Sequence, residues 1–157
     1  MANQADAART REAFAAQLVQ ETGDAIVVCG PDGMIQLWNG GAERVFGYSP
    51  AEALGASLDI IIPEKLRARH WEGYDNAMAT GQTRYGGADL LKVPATNKAG
   101  DRMSIEFSVA LLTDGNGAVT GIAAIIRDTT ERWNSDRALR KELSELKSRL
   151  ADPAPAE

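Results

Sequence analysis

Hydrophobic positions along this chain change their period several times, and each change marks an element. From residue 5 to 22, alanines alternate with polar residues, and Ala7, Phe14 and Leu18 share one narrow helical stripe. This predicts a weakly amphipathic leading helix, stopped by Gly23, that packs on the following domain or on a partner. The run Ala25 to Cys29 is rich in β-branched residues, and Pro31-Asp32-Gly33 is a turn signature. Met34 to Trp38 then alternates, with Met34, Gln36 and Trp38 on one face and Ile35 and Leu37 on the other. The two segments predict a hairpin.

Helical spacing follows. Asn39 suits an N-cap for a helix carrying Ala42, Val45 and Phe46 at apolar positions. Ser49-Pro50-Ala51-Glu52 reads as a capping box, with proline at the first helical position, and Gly55 ends that helix. Leu58 to Ile62 is an apolar link into a long helix that starts at Pro63 and stops near Gly81. Three β-type segments come next: Arg84 to Thr96, Arg102 to Leu112, and Val119 to Ile126. The second alternates most clearly, Met103, Ile105, Phe107, Val109 and Leu111 against Ser104, Glu106, Ser108 and Ala110. Asp114 to Gly117 is the turn that joins it to the third. The tail from Thr130 to Leu150 is helical, and Leu139, Leu143, Leu146 and Leu150 are spaced 4, 3 and 4 as a short a/d seam. Two heptads are too short to hold a coiled coil by themselves.

A length of 157 residues suits one domain with appendages. A net charge of -5 argues against a surface dedicated to nucleic acid. No apolar run approaches the length that crosses a membrane, and the N-terminus lacks a signal-peptide shape, so a cytoplasmic protein without membrane contact is expected. One cysteine excludes an intramolecular disulfide and a multi-cysteine metal site. A single histidine and no phosphate-binding glycine loop leave no catalytic constellation, so no enzyme activity is expected.

The order helix, two strands, three helices, three strands, helix resembles that of the PAS family. The residues that carry the resemblance are Gly33, Trp38-Asn39, Phe46-Gly47-Tyr48-Ser49, Glu52, Leu54-Gly55, Pro63-Glu64, Gly81, Gly100 and Asp128-Thr129-Thr130. The resemblance implies an α+β fold, a five-stranded antiparallel sheet with helices on one face, flanked by N- and C-terminal helices. It divides the chain into a leading helix at 1–22, the domain at 23–132, a signalling helix at 133–151 and a disordered tail at 152–157. It also implies a sensory, signal-transducing module in which Asp128 and Thr130 relay movement of the sheet to the exit helix.

The ligand has to be read residue by residue. A light-oxygen-voltage photosensor would carry a reactive cysteine in an Asn-Cys-Arg motif near 57–62, where this chain has Ser57-Leu58-Asp59-Ile60-Ile61; its one cysteine, Cys29, is in the first strand and reads as a small core residue. His70 falls near the middle of the apolar arc of the long helix, where an imidazole could ligate haem iron. The stretch Arg67-Ala68-Arg69-His70-Trp71-Glu72-Gly73-Tyr74 is similar to the matching helix of bacterial haem-PAS oxygen sensors, although two residues rather than one separate the histidine from Gly-Tyr. Haem b is thus one candidate, and a histidine hydrogen-bonded in or beside the core is the other. Flavin without covalent chemistry is the weaker candidate, on Trp38 and Asn39. His70, Trp38, Tyr74, Leu90 and Met103 form the expected ligand-binding set, with Arg84 and Lys92 as candidate basic residues beside it. The leucine seam predicts a homodimer, and the output is expected to be a separate protein, such as a two-component kinase or a transcription regulator. A ligand-free PAS adaptor, with the sheet face as the partner surface, is the alternative.

Overall fold

Two signals in the hairpin, a turn glycine and a run of β-branched residues, start the architecture. In the computed structural model, which describes residues 2–83 and 90–151, helix α1 (Ala2–Glu21) leads into β1 (Ala25–Cys29) and β2 (Ile35–Trp38). Helices α2 (Gly40–Phe46) and α3 (Pro50–Ala53) follow, then a 3-10 turn at Leu58–Ile60 inside the apolar link, and then α4 (Glu64–Thr80). Strands β3 (Leu91–Thr96), β4 (Arg102–Thr113) and β5 (Val119–Asp128) complete the domain, and α5 (Thr130–Ala151) leaves it. The five strands form one antiparallel sheet in the order β2-β1-β5-β4-β3. This is the expected α+β architecture.

Cross-strand register sorts the side chains into two faces. Ala25, Val27 and Cys29 stand opposite Ile126, Ala124 and Ile122, and Phe107, Val109 and Leu111 continue the same rows into β4. With Ile35, Trp38, Ala95, Met103 and Ile105 they make the inner face, on which the helices deposit Phe46, Ala53 and Tyr74 and the link before α4 deposits Ile61 and Ile62. The outer face carries Ile26, Val28, Ile125, Lys92, Glu106 and Arg127.

One expectation is corrected. Strict alternation in β2 puts Ile35 and Trp38 on opposite faces, yet both are buried, at 2% and 3% exposure. The register runs Val28↔Leu37 and then Cys29↔Ile35, so Gln36 is an extra residue in a bulge, and a bulge shifts the parity of everything beyond it. Of the segment expected at Arg84 to Thr96, Leu91–Thr96 is strand β3, and Arg84 lies outside the described residues, as does the tail 152–157. Of the two surfaces expected for the α1 stripe, the domain does not cover it: Phe14 and Leu18 are 65% and 71% exposed.

The helices are held differently. α2 sits tight on β1, because Gly41 leaves no side chain where a Cβ would meet the Asp24 carbonyl oxygen at 2.1 Å. Asn39, fully buried, pins the start of α2: its Oδ1 accepts from Ala42 N and from Ile26 N, both at 2.8 Å, and its Nδ2 donates to the carbonyls of Val19 and Asp24. α4 stands farther from the sheet and reaches it through long side chains.

Candidate functional site

Helix α4 presents Leu66, His70, Trp71, Tyr74, Ala77 and Met78 toward the fold, the spacing of one apolar stripe. Two of these anchor it to the β1–β2 turn. The Tyr74 hydroxyl donates to the Gly30 carbonyl at 2.6 Å. The Trp71 indole N–H donates to Asp59 Oδ1 at 2.9 Å, and the indole ring covers Gly33. Gly33 has φ +75° and would drive a Cβ to 2.3 Å from that ring, so glycine is required twice over.

His70 lies between these anchors. Its ring centroid is 4.8 Å from Trp71, edge on, and 5.8 Å from Tyr74. Its Nδ1 is buried and has no hydrogen-bond partner among the described residues. Burial pushes the imidazole pKa below its ordinary value, with Asp59 opposing that shift. The ring is therefore neutral at neutral pH, the protonation state that a metal ligand needs. Among the described residues, this Nδ1 is the buried side-chain polar atom left without a partner. Val93, Phe107, Ile122 and Ala124 on the inner face and Met78 on α4 are half-buried apolar residues packed against the core.

The expected ligand set does not all gather there. Tyr74 is beside His70. Trp38 is a pillar of the core, its Nε1 donating to the Tyr48 carbonyl at 2.9 Å and its rings packed on Phe46 and Tyr48. Met103 is buried in the same core at 7% exposure. Leu90 is 62% exposed ahead of β3. Lys92 is on the outer face, 3.1 Å from Glu106, and faces away from His70. Asn39, offered for ring stacking, has its amide committed to backbone groups. Cys29 is buried, and desolvation pushes its thiol up to about 12, with Asp32 adding to the shift, which leaves it an inert thiol at neutral pH.

The junction after β5 has the geometry expected of Asp128 and Thr130. Asp128 Oδ1 accepts from the Thr130 backbone N–H at 2.8 Å and from its hydroxyl at 2.6 Å. Thr130 Oγ1 in turn accepts from Ser104 N at 3.0 Å, and Thr129 N donates to the Ser104 carbonyl at 2.8 Å. The start of α5 is thus tied to β4 through Ser104, a residue the sequence pattern marked only as a polar position in a strand. Beyond that root, every residue from Glu131 to Leu150 is exposed, including Leu139, Leu143, Leu146 and Leu150 at 64%, 53%, 48% and 82%.

Known proteins place this geometry. A family model described as PAS fold matches residues 19–134. The sensor protein FixL of Bradyrhizobium diazoefficiens is 29% identical over 140 residues, which cover 89% of this chain and 27% of that protein; the chain thus spans about a quarter of this relative. The PAS domain of a Colwellia psychrerythraea protein superposes with a TM-score of 0.66 at 24% identity, over 75% of this chain and 96% of that one. An RNA-binding light-oxygen-voltage receptor superposes with a TM-score of 0.67 at 24% identity, over 85% of this chain and 37% of that one. No helix among the described residues is long and apolar enough to cross a membrane. With its sheet order, its Asp-Thr-Thr junction and a family match across most of its length, the chain belongs to the PAS fold family, the sensory domains of signalling proteins.

Proposed function

We propose that this PAS domain senses a small ligand held between α4 and the inner face of the sheet, with His70 as its polar contact. The observation that carries this reading is the buried, unpartnered Nδ1 of a neutral imidazole on α4, the helix whose Tyr74 packs into the apolar core. Haem b is the first candidate, with His70 as axial ligand and Tyr74 and the apolar residues around it as walls; when bound, it supplies a centre that responds to gases or to redox state. Flavin is the weaker candidate, because Trp38 and Asn39 are engaged inside the core.

The signal leaves by the Asp128–Thr130 junction. A shift of β4 against β5 moves Ser104, and with it the bonds that fix the first turn of α5. A ligand drives this only through a difference in its affinity for the two arrangements. The exposed leucine seam suits a second copy of this chain. In that heptad register Glu142 is at g and Lys147 at the following e, an attractive pair between parallel helices. The output is a kinase or transcription regulator, in the cytoplasm, and the module has no catalytic role of its own.

The ligand-free adaptor has one observation in its favour: the outer face exposes Ile125 at 50% and Leu112 at 39%, beside Ala110. An ultraviolet–visible titration with haemin, on the wild type and His70→Ala, separates the readings. A saturable Soret band that shifts on reduction and with CO, and is lost in the variant, supports the haem sensor. A colourless protein with no saturable complex sinks it and leaves the adaptor.

A further inference from the structure

A row of alternating charges crosses the outer face at the end of the sheet from which α5 departs. Lys92 in β3, Glu106 in β4 and Arg127 in β5 stand opposite one another in register. Arg127 continues the row to Asp24, between α1 and β1, through Nε to Oδ1 at 3.0 Å and Nη2 to Oδ2 at 2.6 Å. Glu106 is the centre of this row. Its side chain is 10% exposed, and its Oε1 lies 3.1 Å from Lys92 Nζ and also accepts a hydrogen bond from Arg132 Nη2. Arg132 belongs to the first turn of α5, so one nearly buried carboxylate holds a cation from the sheet and a cation from the exit helix on the same oxygen.

We infer that Glu106 is a positioning residue for α5, a latch that holds the helix through Arg132 and keeps Lys92 as a second cation when the helix lets go. The physical reason lies in the cost of stranding a buried charge. Breaking a buried pair by removing its only partner is strongly unfavourable because the remaining charge is uncompensated. Here release of Arg132 leaves Glu106 paired with Lys92 and opposite Arg127, so the latched and released states differ by little more than one exposed guanidinium. That near balance is what a two-state element needs to be biased by a ligand.

The leverage is large. Among the described residues, nothing of the domain supports α5 after its root. A helix of 22 residues is about 33 Å long at 1.5 Å per residue. A tilt of about 10° at the root then displaces the far end by about 6 Å, enough to break or remake a side-chain seam. Because Arg127 also holds Asp24, the same row ties the exit of α1 to the root of α5. This deepens the relay reading and rests on it for its use, but the latch itself is read without any ligand.

Amide hydrogen exchange on the full chain tests it, in a Leu143→Asp, Leu146→Asp background so that a dimer seam cannot hold the helix. Arg132→Gln should speed exchange at the amides of 133–137 by about tenfold, while the β4 and β5 amides stay protected. Lys92→Gln should leave the same amides within about twofold of the parent, because Arg132 remains in place. Adding Glu106→Gln to Arg132→Gln should give no further increase, since both remove one interaction. Unchanged exchange in Arg132→Gln, or equal acceleration by Lys92→Gln, would overturn the latch. Arg132 is 59% exposed on its side chain, so that variant keeps the fold even where Glu106→Gln does not.

Discussion

The two faces of the sheet solve opposite problems. The inner face is apolar and densely covered over β1 and β2, where Trp38, Phe46 and Ile35 are almost fully buried. Its one polar irregularity is His70, whose Nδ1 has no partner among the described residues. The outer face is partly open to solvent, and at the α5 end it carries a row of matched charges: Lys92 and Arg132 on Glu106, and Arg127 on Asp24. Polar groups left unpaired in a low-dielectric site are reserved for something that binds, whereas paired charges fix positions. In the proposed reading, the face with the orphan is where a ligand gains affinity, and the face with the charge row is where the geometry of the exits is held.

The largest effect should come from emptying the inner face. Trp38→Ala removes an indole packed on Phe46 and Tyr48 and should cost about 4 kcal/mol in denaturant unfolding. A loss below about 1 kcal/mol would show that the core over β2 is not the stabilising unit. Gly33→Ala comes next, at about 2 kcal/mol, because it forces positive φ on alanine and displaces Trp71. Its mark beyond stability should be a changed indole emission from Trp71.

Acid titration separates the faces by pH window. Glu106 has its carboxyl held below 4.5, first by the hydrogen bond with Lys92, so its contribution is present above that value and is lost as pH falls below it. His70 has its pKa held below 6.5 by burial, and the unfolded chain takes up that proton first, so stability also falls as pH drops through the region under 6.5. Glu106→Gln should flatten only the lower window, and His70→Leu only the upper one. Identical unfolding profiles for His70→Leu and wild type across the upper window would mean that the imidazole is as well solvated in the fold as outside it.

At neutral pH, His70→Leu should change stability by no more than about 1 kcal/mol in either direction, since it removes an unpartnered nitrogen and keeps an apolar body. A loss of 3 kcal/mol or so would mean that the imidazole makes a structural bond, and would argue against a ligand role. The smallest effect on stability belongs to Leu143→Asp with Leu146→Asp, two exposed positions. Unfolding should be unmoved, while light scattering should report loss of the dimer mass; an unchanged mass sinks the seam.

Much of the fold was legible because its signals are local. Asn39 caps α2 as its position before Ala42 and Phe46 suggested. Glu52 Oε2 accepts from the backbone N–H of Ser49 at 2.9 Å, as a capping box should, and from its hydroxyl as well. Asp128 and Thr130 meet within one turn, so their bond needed no distant partner. The candidate site was legible only in part. His70 fell on the correct arc of α4, but the same periodicity could not show that its Nδ1 lacks a partner, which depends on every element packed around it. Lys92 and Leu90 were drawn toward the ligand because position along the chain does not show which way a residue faces in a sheet.

By itself, the sequence determined the elements, their order and their ends, because propensity, caps and turn glycines act within a few residues. It also carried the family resemblance through the spacing of those pieces. Only the tertiary structure decided which residues meet. The bulge at Gln36 put Ile35 and Trp38 on one face, and the β3–β4–β5 register turned Lys92 outward onto Glu106. The approach of Arg132 to a carboxylate 26 residues earlier made a latch of two residues that no motif links. Register carries this information because a shift of one residue moves every side chain of a strand to the other face, and no stretch of the chain read alone contains both partners.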